Sequence, residues 1–585
     1  MKKLMRYLAV GLMGLLFLSV NAYAQMVPPI TIYTAKKIIT MDAFQPEATA
    51  VAVKDDRIYS VGSLEEMKTW MKPGSYRVNT SFANDIITPG LIEAHDHWTL
   101  LILLLAHPYV GYYDFLGYDA AVLPGLKSKQ DVIASLQKAD KAMKDPNEAI
   151  LAWGFDPIFF NNADLTADEL DQVSKTRPVF VLNASDHIGY VNHALLKKAG
   201  YDANTQIKGV KKGSDGMPNG VLEEASAMAP VISPLVQQLM TQAAIKKGIA
   251  GAGGLAQKVG LTTVSDLLFG GPDEKLLVNE ILAASKNPQY PVRVVPIYDG
   301  LILAELEKKT PGSGVDHINQ LMQLNNDKLL FGGVKFVVDG SIQGFTARLK
   351  WPGYFNGAPN GLFNTPLDEL KAVALPFWKA GLPIHVHVNG DQATDVALTT
   401  LAYLQNNTPR KDNIFVLEHD QLSSPAQFHL AKRLGAYVNL FPNHVYYWGD
   451  LHYSTLLGPD RANRIDNAAE AKRVGLIYSL HTDSPVTPLG PLHSMWAAVN
   501  RTTASGRILG QNARISAEDA LRAVTLNAAY LLGLQDEIGS IEVGKRADFT
   551  VLGSNPLTVA PQQIKNIPVI ATIQNNVVFS NKSQQ

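Results

Sequence analysis

The chain has 585 residues, which is more than one hydrophobic core usually organises, so we expect one large domain and a smaller one. Its 52 basic and 53 acidic residues give a formal net charge of -1. This balance argues against a broad charged surface for nucleic acid or an anionic membrane and favours a small-molecule substrate as the partner. The chain has no cysteine, so disulfides are excluded and any metal must have nitrogen and oxygen ligands.

The first 24 residues have the pattern of a signal peptide. Basic residues at positions 2, 3 and 6 precede an apolar stretch, and Ala22-Tyr23-Ala24 is a small-x-small cleavage pattern. We expect cleavage after Ala24 and a periplasmic or secreted protein. The alternative is an uncleaved membrane anchor, but the apolar stretch is shorter than the ~20 residues that a span needs. No stable membrane insertion is therefore expected after cleavage.

The two ends of the mature chain share one pattern. Both alternate β-branched and polar residues between turn signals, as the strands of an antiparallel sheet do. Each end is too short to be stable alone. We therefore expect residues 25–85 and 535–585 to pair in one composite β-sandwich domain.

Eight short apolar runs alternate with helical stretches between these ends. Such runs are typical of parallel strands buried on both faces, and eight of them fit a (β/α)8 TIM barrel over residues 86–534. The predicted strands are 86–94, 261–266, 292–297, 333–338, 383–388, 414–419, 436–440 and 476–482. The long gap after the first strand predicts a helical insertion, about 100–255, over the barrel mouth. The alternative is a doubly wound open sheet, but no glycine-rich phosphate loop follows the first strand.

Polar residues gather at the C-terminal ends of the predicted strands, where barrels of this class place their active sites. His95 and His97 follow the first strand, and residues two apart on a strand point to the same side, so both imidazoles can bind one cation. The other strand-end residues of this kind are His385, His387, Glu418, His419, His481 and Asp483. Since such residues seldom end apolar strands without a ligand or partner, the pattern predicts a metal site.

Lys335 lies inside the fourth predicted strand. A buried ammonium is costly, so one interpretation is an ion pair with Asp339 on the same face of the strand. The other is that the neutral amine adds CO₂, and the resulting carbamate is a carboxylate able to bridge two metal ions.

Five motifs together resemble the metal-dependent amidohydrolase superfamily, and specifically the amidohydrolase 3 branch that contains N-substituted formamide deformylases. These motifs are PGLIEAHDH, GVKFVVDGS, HVHVNGD, LEHDQ and HTDSPVTPLGPL. The resemblance runs from about residue 30 to the end of the chain. It implies that one metal ion is bound by His95 and His97 beside Asp483, that His387 and His419 bind a second ion, and that carboxylated Lys335 bridges the two.

The strand period alone does not distinguish His385 from His387, because both point the same way. The His-x-x-Gly-Asp pattern of the family matches His387, so His385 is expected behind the ligands. The chain also departs from the usual family pattern: His481 and Thr482 stand where glycine and serine are more common, and Asp96 lies between the paired histidines where a small polar residue is often found.

Nitrogen and oxygen ligands with open coordination positions suit Zn²⁺, with Mn²⁺ or Fe²⁺ as alternatives and one or two ions per chain. The predicted reaction is hydrolysis of a C–N bond in an amide, an N-substituted formamide or an N-acyl amine. Asp483 would take a proton from the attacking water and return it to the leaving amine. Hydrolysis of esters, lactones or cyclic amides is left open, as are a non-catalytic periplasmic regulatory or binding protein and a homo-oligomer.

Further candidates lie in the insertion and after the seventh strand. His187 is predicted to be catalytic, because an imidazole there could stabilise a developing oxyanion. The predicted substrate-binding residues are Trp98, Trp153, Asp156, Glu224, Asn443 and His444. For the insertion residues, the alternative is that they only stabilise the insertion.

Overall fold

The structure is a computed structural model that describes residues 30–145, 147–271 and 273–581. The predicted signal peptide, residues 1–24, lies outside the described residues. None of the helices in the described part of the chain combines the length and the apolar composition that crossing a bilayer requires.

Eight parallel strands form the central sheet, and each pairs with the next one along the chain. They are Leu91–Glu93, Leu261–Phe269, Arg293–Asp299, Val334–Val337, Ile384–Val388, Phe415–His419, Tyr437–Leu440 and Tyr478–Leu480. The last strand is joined to the first beyond its end, where Thr482 donates from its N–H and its hydroxyl to the Glu93 carboxylate, at 3.0 and 2.8 Å. The predicted (β/α)8 barrel is confirmed.

The first predicted strand, 86–94, is two strands in the structure. Ile86–Pro89 pairs with Phe549–Leu552 in a separate sheet, whereas Leu91–Glu93 pairs with the second barrel strand. The break falls at Gly90, where a Cβ atom would lie 2.0 Å from the Thr262 hydroxyl oxygen. Only glycine allows the chain to pass this close to its neighbour as it crosses from one sheet to the other.

Both ends of the chain contribute to this separate sheet. Its strands, in spatial order, are Val577–Ser580, Val569–Gln574, Phe549–Leu552, Ile86–Pro89, Ile30–Ile39, Glu47–Lys54 and Arg57–Gly62, with Tyr76–Asn79 beside Ile30–Ile39. The sheet encloses an apolar core that includes Tyr33, Phe82 and Phe549. It curves so far that Tyr33 Oη donates to Asn576 Oδ1 at the opposite end, at 2.7 Å.

The insertion is built on a sheet, so the prediction of a helical insertion was wrong. Its five strands are, in spatial order, Val210–Lys212, Pro218–Glu223, Ile188–Val191, Val179–Asn183 and Ile150–Phe155. Runs such as VFVLN are short and rich in β-branched and aromatic residues, which favours strands over helices. Phe155 and Tyr190 belong to a separate apolar core of this sheet. A two-stranded hairpin, Phe115–Leu116 and Val122–Leu123, precedes it.

Most of the helices pack around the barrel or on the insertion, whereas Leu64–Trp70 packs on the terminal sheet. Those in and before the insertion are Leu64–Trp70, Trp98–Leu104, Lys129–Ala142, Ala167–Leu170, His193–Lys198 and Glu224–Leu239. The later ones are Gln242–Lys258, Glu274–Ser285, Gly300–Lys309, Ser313–Met322, Leu367–Lys379, Asp391–Asn407, Pro425–Leu434, Asn443–Tyr447, Gly449–Leu451, Gly458–Ala462, Ala468–Val474, Pro491–Asn500, Ala517–Ala523 and Leu526–Leu531. Pro425–Leu434 shows how the sequence sets such ends: Ser424 and Gln427 form a capping box, and Gly435 ends the helix with φ 77°.

A buried ion pair joins the barrel to the terminal sheet. Arg293 Nη1, at the start of the third barrel strand, lies 2.6 Å from Asp548 Oδ2, directly before Phe549–Leu552. The same nitrogen donates to Thr263 Oγ1, and Asp548 Oδ1 accepts from the Asn575 N–H. Both charges are almost fully buried, so each depends on the other for compensation.

Replacing Asp548 by Asn should destabilise the chain by about 3–5 kcal/mol, because the Arg293 charge would stay buried without its partner. Urea unfolding measures this loss. Glu305→Gln, which breaks an exposed pair with Lys308, is the control and should leave the unfolding free energy unchanged. Equal stabilities of the two variants would show that the Arg293 pair does not hold the two units together.

Candidate metal centre

The Asp483 carboxylate is the meeting point of three histidines from two other strand ends. His95 Nε2 and His97 Nε2 lie 3.1 and 3.4 Å from Asp483 Oδ1. His419 Nδ1 lies 3.7 Å from Asp483 Oδ2. One ligand atom each from His95, His97 and Asp483 can be chosen so that all lie within 4.8 Å of one another, and the same holds for His95, His419 and His481.

Several polar atoms in this cluster are buried without a hydrogen-bond partner. They are His95 Nε2, His419 Nδ1, Asp483 Oδ1, Lys335 Nζ and both ring nitrogens of His481. The 3.1 Å approach of His95 to Asp483 does not have the angle of a hydrogen bond. A buried polar atom without a partner costs about 1–3 kcal/mol, so this many together indicate a missing ligand. Imidazole nitrogens and a carboxylate are the donors that Zn²⁺ and similar divalent ions bind, so the residues fit a metal ion.

The sixth strand contributes two adjacent residues, Glu418 and His419, although neighbours on a strand normally point to opposite sides. The backbone explains how both reach the site. His419 and Asp420 have φ 68° and φ 44°, in the left-handed region, so the chain turns sharply where the strand ends. Asp483 also has a left-handed backbone, with φ 54°. Strained conformations of this kind often cluster at functional sites.

Glu418 orients two imidazoles from other strands. Its Oε2 atom lies 2.7 Å from His95 Nδ1, and its Oε1 atom lies 2.6 Å from His385 Nδ1. Asn439 Nδ2 donates to Oε2 at 2.9 Å. Burial raises the pKa of Glu418, but the neighbouring His95 and His385 outweigh it and hold the pKa well below its usual range. The ionised carboxylate therefore accepts from both Nδ1 atoms, which leaves His95 Nε2 free to bind a metal.

Glu418 was predicted at a strand end, without a role. The signal that could have revealed Glu418 is the His385-x-His387 pattern. Only one of these histidines is needed as a metal ligand, so the other needs a different partner. In the structure His385 is fully buried behind the site and contacts Glu418. Glu418 lies on the sixth strand, beside His385 on the fifth, whereas His95 follows the first. Its contact with both imidazoles is not recognisable from spacing, because it depends on how the strands are arranged around the barrel.

His387 and Lys335 lie next to this cluster. The His387 ring is 4.4 Å from the His419 ring, and its Nε2 atom lies 3.1 Å from Asn389 Nδ2. Lys335 is 1% exposed and its Nζ atom has no hydrogen-bond partner. Burial lowers the pKa of Lys335 to about 8, although Glu418 and Asp483 oppose this shift. The structure thus brings all six predicted metal ligands to one rim of the barrel.

His187 reaches the rim from the insertion. Its Nδ1 atom lies 2.9 Å from Glu224 Oε2, which also accepts from Asn364 Nδ2 at 2.9 Å. Its ring is 5.2 Å from the His387 ring. Burial lowers the pKa of His187, but Glu224 outweighs it, so the pKa lies above its ordinary value. His187 and Glu224 line a cavity of about 480 Å³.

Three of the other predicted substrate-binding residues are used in packing. Trp98 and Trp153 are 0% and 1% exposed and belong to the hydrophobic core, which leaves almost no surface for a substrate. Asn443 bonds to Thr487 and Ser494, so its amide is used in packing the barrel rim.

Asp156 and His444 both contact Trp448. Asp156 Oδ2 accepts from Trp448 Nε1 at 2.8 Å and lines an aromatic pocket with Tyr113, Phe159 and Trp448, while burial raises the pKa of this carboxyl to about 6. His444 stacks on Trp448, and its Nδ1 atom lies 3.1 Å from His452 Nε2.

Comparison with known proteins decides the family, because the amidohydrolase family profile matches residues 83–579. The chain belongs to the amidohydrolase family. It is 27% identical to the protein LONG AFTER FAR-RED 3 of Arabidopsis thaliana over 530 residues, covering 88% of this chain and 86% of that protein. It is 25% identical to the N-substituted formamide deformylase of Arthrobacter pascens, covering 92% and 96%. The structure of an uncharacterized metal-dependent hydrolase of Pyrococcus horikoshii has the same fold, with a TM-score of 0.70, 20% identity and coverage of 91% and 99%.

In this amidohydrolase, Glu418→Gln should lower the affinity for Zn²⁺ about 10–100-fold, because an amide cannot accept from both His95 Nδ1 and His385 Nδ1. Competition with a chromophoric chelator measures the affinity, and circular dichroism monitors folding. The matched control is Glu280→Gln, another buried glutamate, which accepts from Gln242 on the outer helices. An unchanged affinity in Glu418→Gln would show that Glu418 does not orient metal ligands.

Proposed function

We propose that this amidohydrolase is a metal-dependent hydrolase of non-peptide C–N bonds, acting on an amide such as an N-substituted formamide or an N-acyl amine. The observation that carries the proposal is the convergence of His95, His97 and His419 on Asp483, with His95 Nε2, His419 Nδ1 and Asp483 Oδ1 buried and unpartnered. The N-substituted formamide deformylase relative, matched over almost its whole length, supports the bond type. Zn²⁺ is the proposed ion, with Mn²⁺ or Fe²⁺ as alternatives, because the donor set has only nitrogen and oxygen atoms.

A divalent ion at this site would lower the pKa of a bound water to about 7 and polarise the substrate carbonyl. Asp483 is proposed to take the proton of the attacking water on Oδ2, because Oδ1 lies closer to histidines: His95 and His97 are 3.1 and 3.4 Å from Oδ1, whereas His419 is 3.7 Å from Oδ2. The same carboxyl then returns the proton to the leaving amine, so one residue serves as base and then as acid. The buried position of Asp483 keeps bulk water from competing for this proton.

His187 is proposed to contact the carbonyl oxygen of the substrate. Glu224 accepts from His187 Nδ1, which directs the other ring nitrogen away from Glu224 and holds the ring beside His387. An N–H placed there can stabilise the negative charge that develops on the carbonyl oxygen. The cavity of about 480 Å³ lined by His187 and Glu224 has the size of a small-molecule site.

Lys335 is proposed to be carboxylated. Its Nζ atom is buried and unpartnered, and burial lowers its pKa from 10.5 to about 8, which increases the share of neutral amine. Only the neutral amine adds CO₂. Lys328 is a natural comparison: burial lowers its pKa to about 8 as well, but its Nζ atom donates to the carbonyl oxygens of Asn287, Pro288 and Tyr290.

Carboxylation is tested by ¹³C nuclear magnetic resonance of Zn²⁺-loaded protein equilibrated with ¹³C-bicarbonate. The wild type and Lys328→Met should show a carbamate resonance that persists after excess bicarbonate is removed, whereas Lys335→Met should lack it. Lys328→Met is the control because it removes a buried lysine whose ammonium is already hydrogen-bonded. A persistent resonance in Lys335→Met, or none in the wild type, would refute carboxylation of Lys335.

Asp483→Asn should reduce turnover of simple formamides and N-acyl amines by about 10²–10⁴-fold, because the amide cannot accept the proton of water. It should keep most of the metal, since His95, His97 and His419 remain. Metal content and kcat are measured on the same preparation, and esters and lactones are tested beside the amides. Asp395→Asn, which changes an exposed carboxylate paired with Lys350, is the control.

Near-wild-type turnover in Asp483→Asn would remove Asp483 from the proton-transfer role. Turnover of esters or lactones in preference to amides would contradict the proposed bond type. A protein that binds metal yet hydrolyses none of these substrates would favour the regulatory or binding alternative.

A further inference from the structure

A third buried imidazole, His481, lies beside His95 and His419. The His481 ring centroid is 4.7 Å from the His95 ring and 5.0 Å from the His419 ring, and the last two are 4.5 Å apart. His481 is 0% exposed. The three rings, from the ends of the first, sixth and eighth barrel strands, therefore form one compact group.

Both ring nitrogens of His481 are buried, and neither has a hydrogen-bond partner. Three other buried rings of the rim each have one: His385 contacts Glu418, His387 contacts Asn389, and His444 contacts His452. His419 resembles His481 in that its buried Nδ1 atom has no partner either. A ring that gains nothing from protein groups at either nitrogen is costly to bury. This indicates that its partner is a bound ligand.

The His481 ring is also held in place. Phe441 stacks on it with a centroid distance of 4.7 Å and an interplanar angle of 27°. The His481 N–H donates to Leu440 O at 3.0 Å, and its carbonyl oxygen accepts from Ser494 Oγ at 3.2 Å. Because backbone and ring are both fixed, His481 cannot turn towards solvent to find a partner there.

We propose that His481 is a direct ligand of a metal ion that it shares with His95 and His419, which differs from the division of His95 and His419 between two ions that the family resemblance implies. This rests on the proposed metal dependence of the site. Ligand atoms of the three residues lie within 4.8 Å of one another. Since a Zn–N bond is about 2.0–2.1 Å long, two nitrogens on one tetrahedral ion lie about 3.3 Å apart, so the three rings must draw together when the ion binds.

A third imidazole changes which ions the site prefers. Imidazole nitrogens suit Zn²⁺, Cu²⁺ and Ni²⁺, whereas Mg²⁺ and Mn²⁺ prefer carboxylate and water oxygens. His481 thus makes the ligand set richer in nitrogen and favours Zn²⁺ over Mn²⁺.

The test compares Zn²⁺ binding by the wild type, His481→Gln and His452→Gln in the absence of substrate. The affinity from chelator competition should fall at least about 10-fold in His481→Gln, because glutamine keeps the polarity but is a poorer ligand. The visible spectrum of the Co²⁺-loaded protein should change in the same variant. His452→Gln removes an equally buried ring that contacts His444 outside the three-ring group, so its affinity and spectrum should match the wild type.

Wild-type affinity and an unchanged Co²⁺ spectrum in His481→Gln would overturn this inference but leave the proposed function intact. A wild type that binds none of Zn²⁺, Mn²⁺ and Fe²⁺ would overturn both. If His481→Gln does not fold, a crystal structure of the Zn²⁺-loaded wild type decides: a His481 nitrogen about 2.0–2.1 Å from the ion supports the inference, and one beyond about 3 Å overturns it.

Discussion

The structure depends on one constraint: the ends of the first and last barrel strands must stay together so that Asp483 faces His95 and His97. Two contacts achieve this beyond the ends of the strands. Thr482 bonds to Glu93 through its N–H and hydroxyl, and the His97 N–H donates to Ser484 O at 2.9 Å. Thr482 and Ser484 flank Asp483 in the chain, and their partners Glu93 and His97 lie two residues before and after His95. The contacts that close the barrel therefore also bring the metal-site residues together.

The polar rim is unfavourable for folding unless something binds there. Left-handed backbone at His419 and Asp483 costs of order 1–3 kcal/mol each, and the unpartnered imidazoles add to this. The surrounding barrel, with its continuous apolar core between strands and helices, tolerates the cost. The strained residues and the unpartnered polar atoms are concentrated at one end of a well-packed barrel. This concentration is typical of a binding site, whereas a purely structural rim would avoid it.

Much of the fold could be predicted from the sequence because short apolar runs, typical of parallel strands buried on both faces, recur eight times, and histidines lie at the ends of several of them. The split at Gly90 could not, because it depends on the close approach of Thr262 from a strand about 170 residues later. The sheet of the insertion was missed because its strands are short and adjacent to true helices. The role of Glu418 was missed because strict alternation separates it from His419, and only the left-handed turn at His419 brings both to the site.

The most direct test of the account is calorimetric titration of the metal-free wild-type protein with Zn²⁺. Because Asp483, His95, His97 and His419 are already assembled, the account predicts saturable binding of one or two ions per chain, with a rise in the thermal unfolding temperature as the sites fill. Absence of saturable binding, or binding that leaves the unfolding temperature unchanged, would contradict the claim that these strand ends form a metal centre.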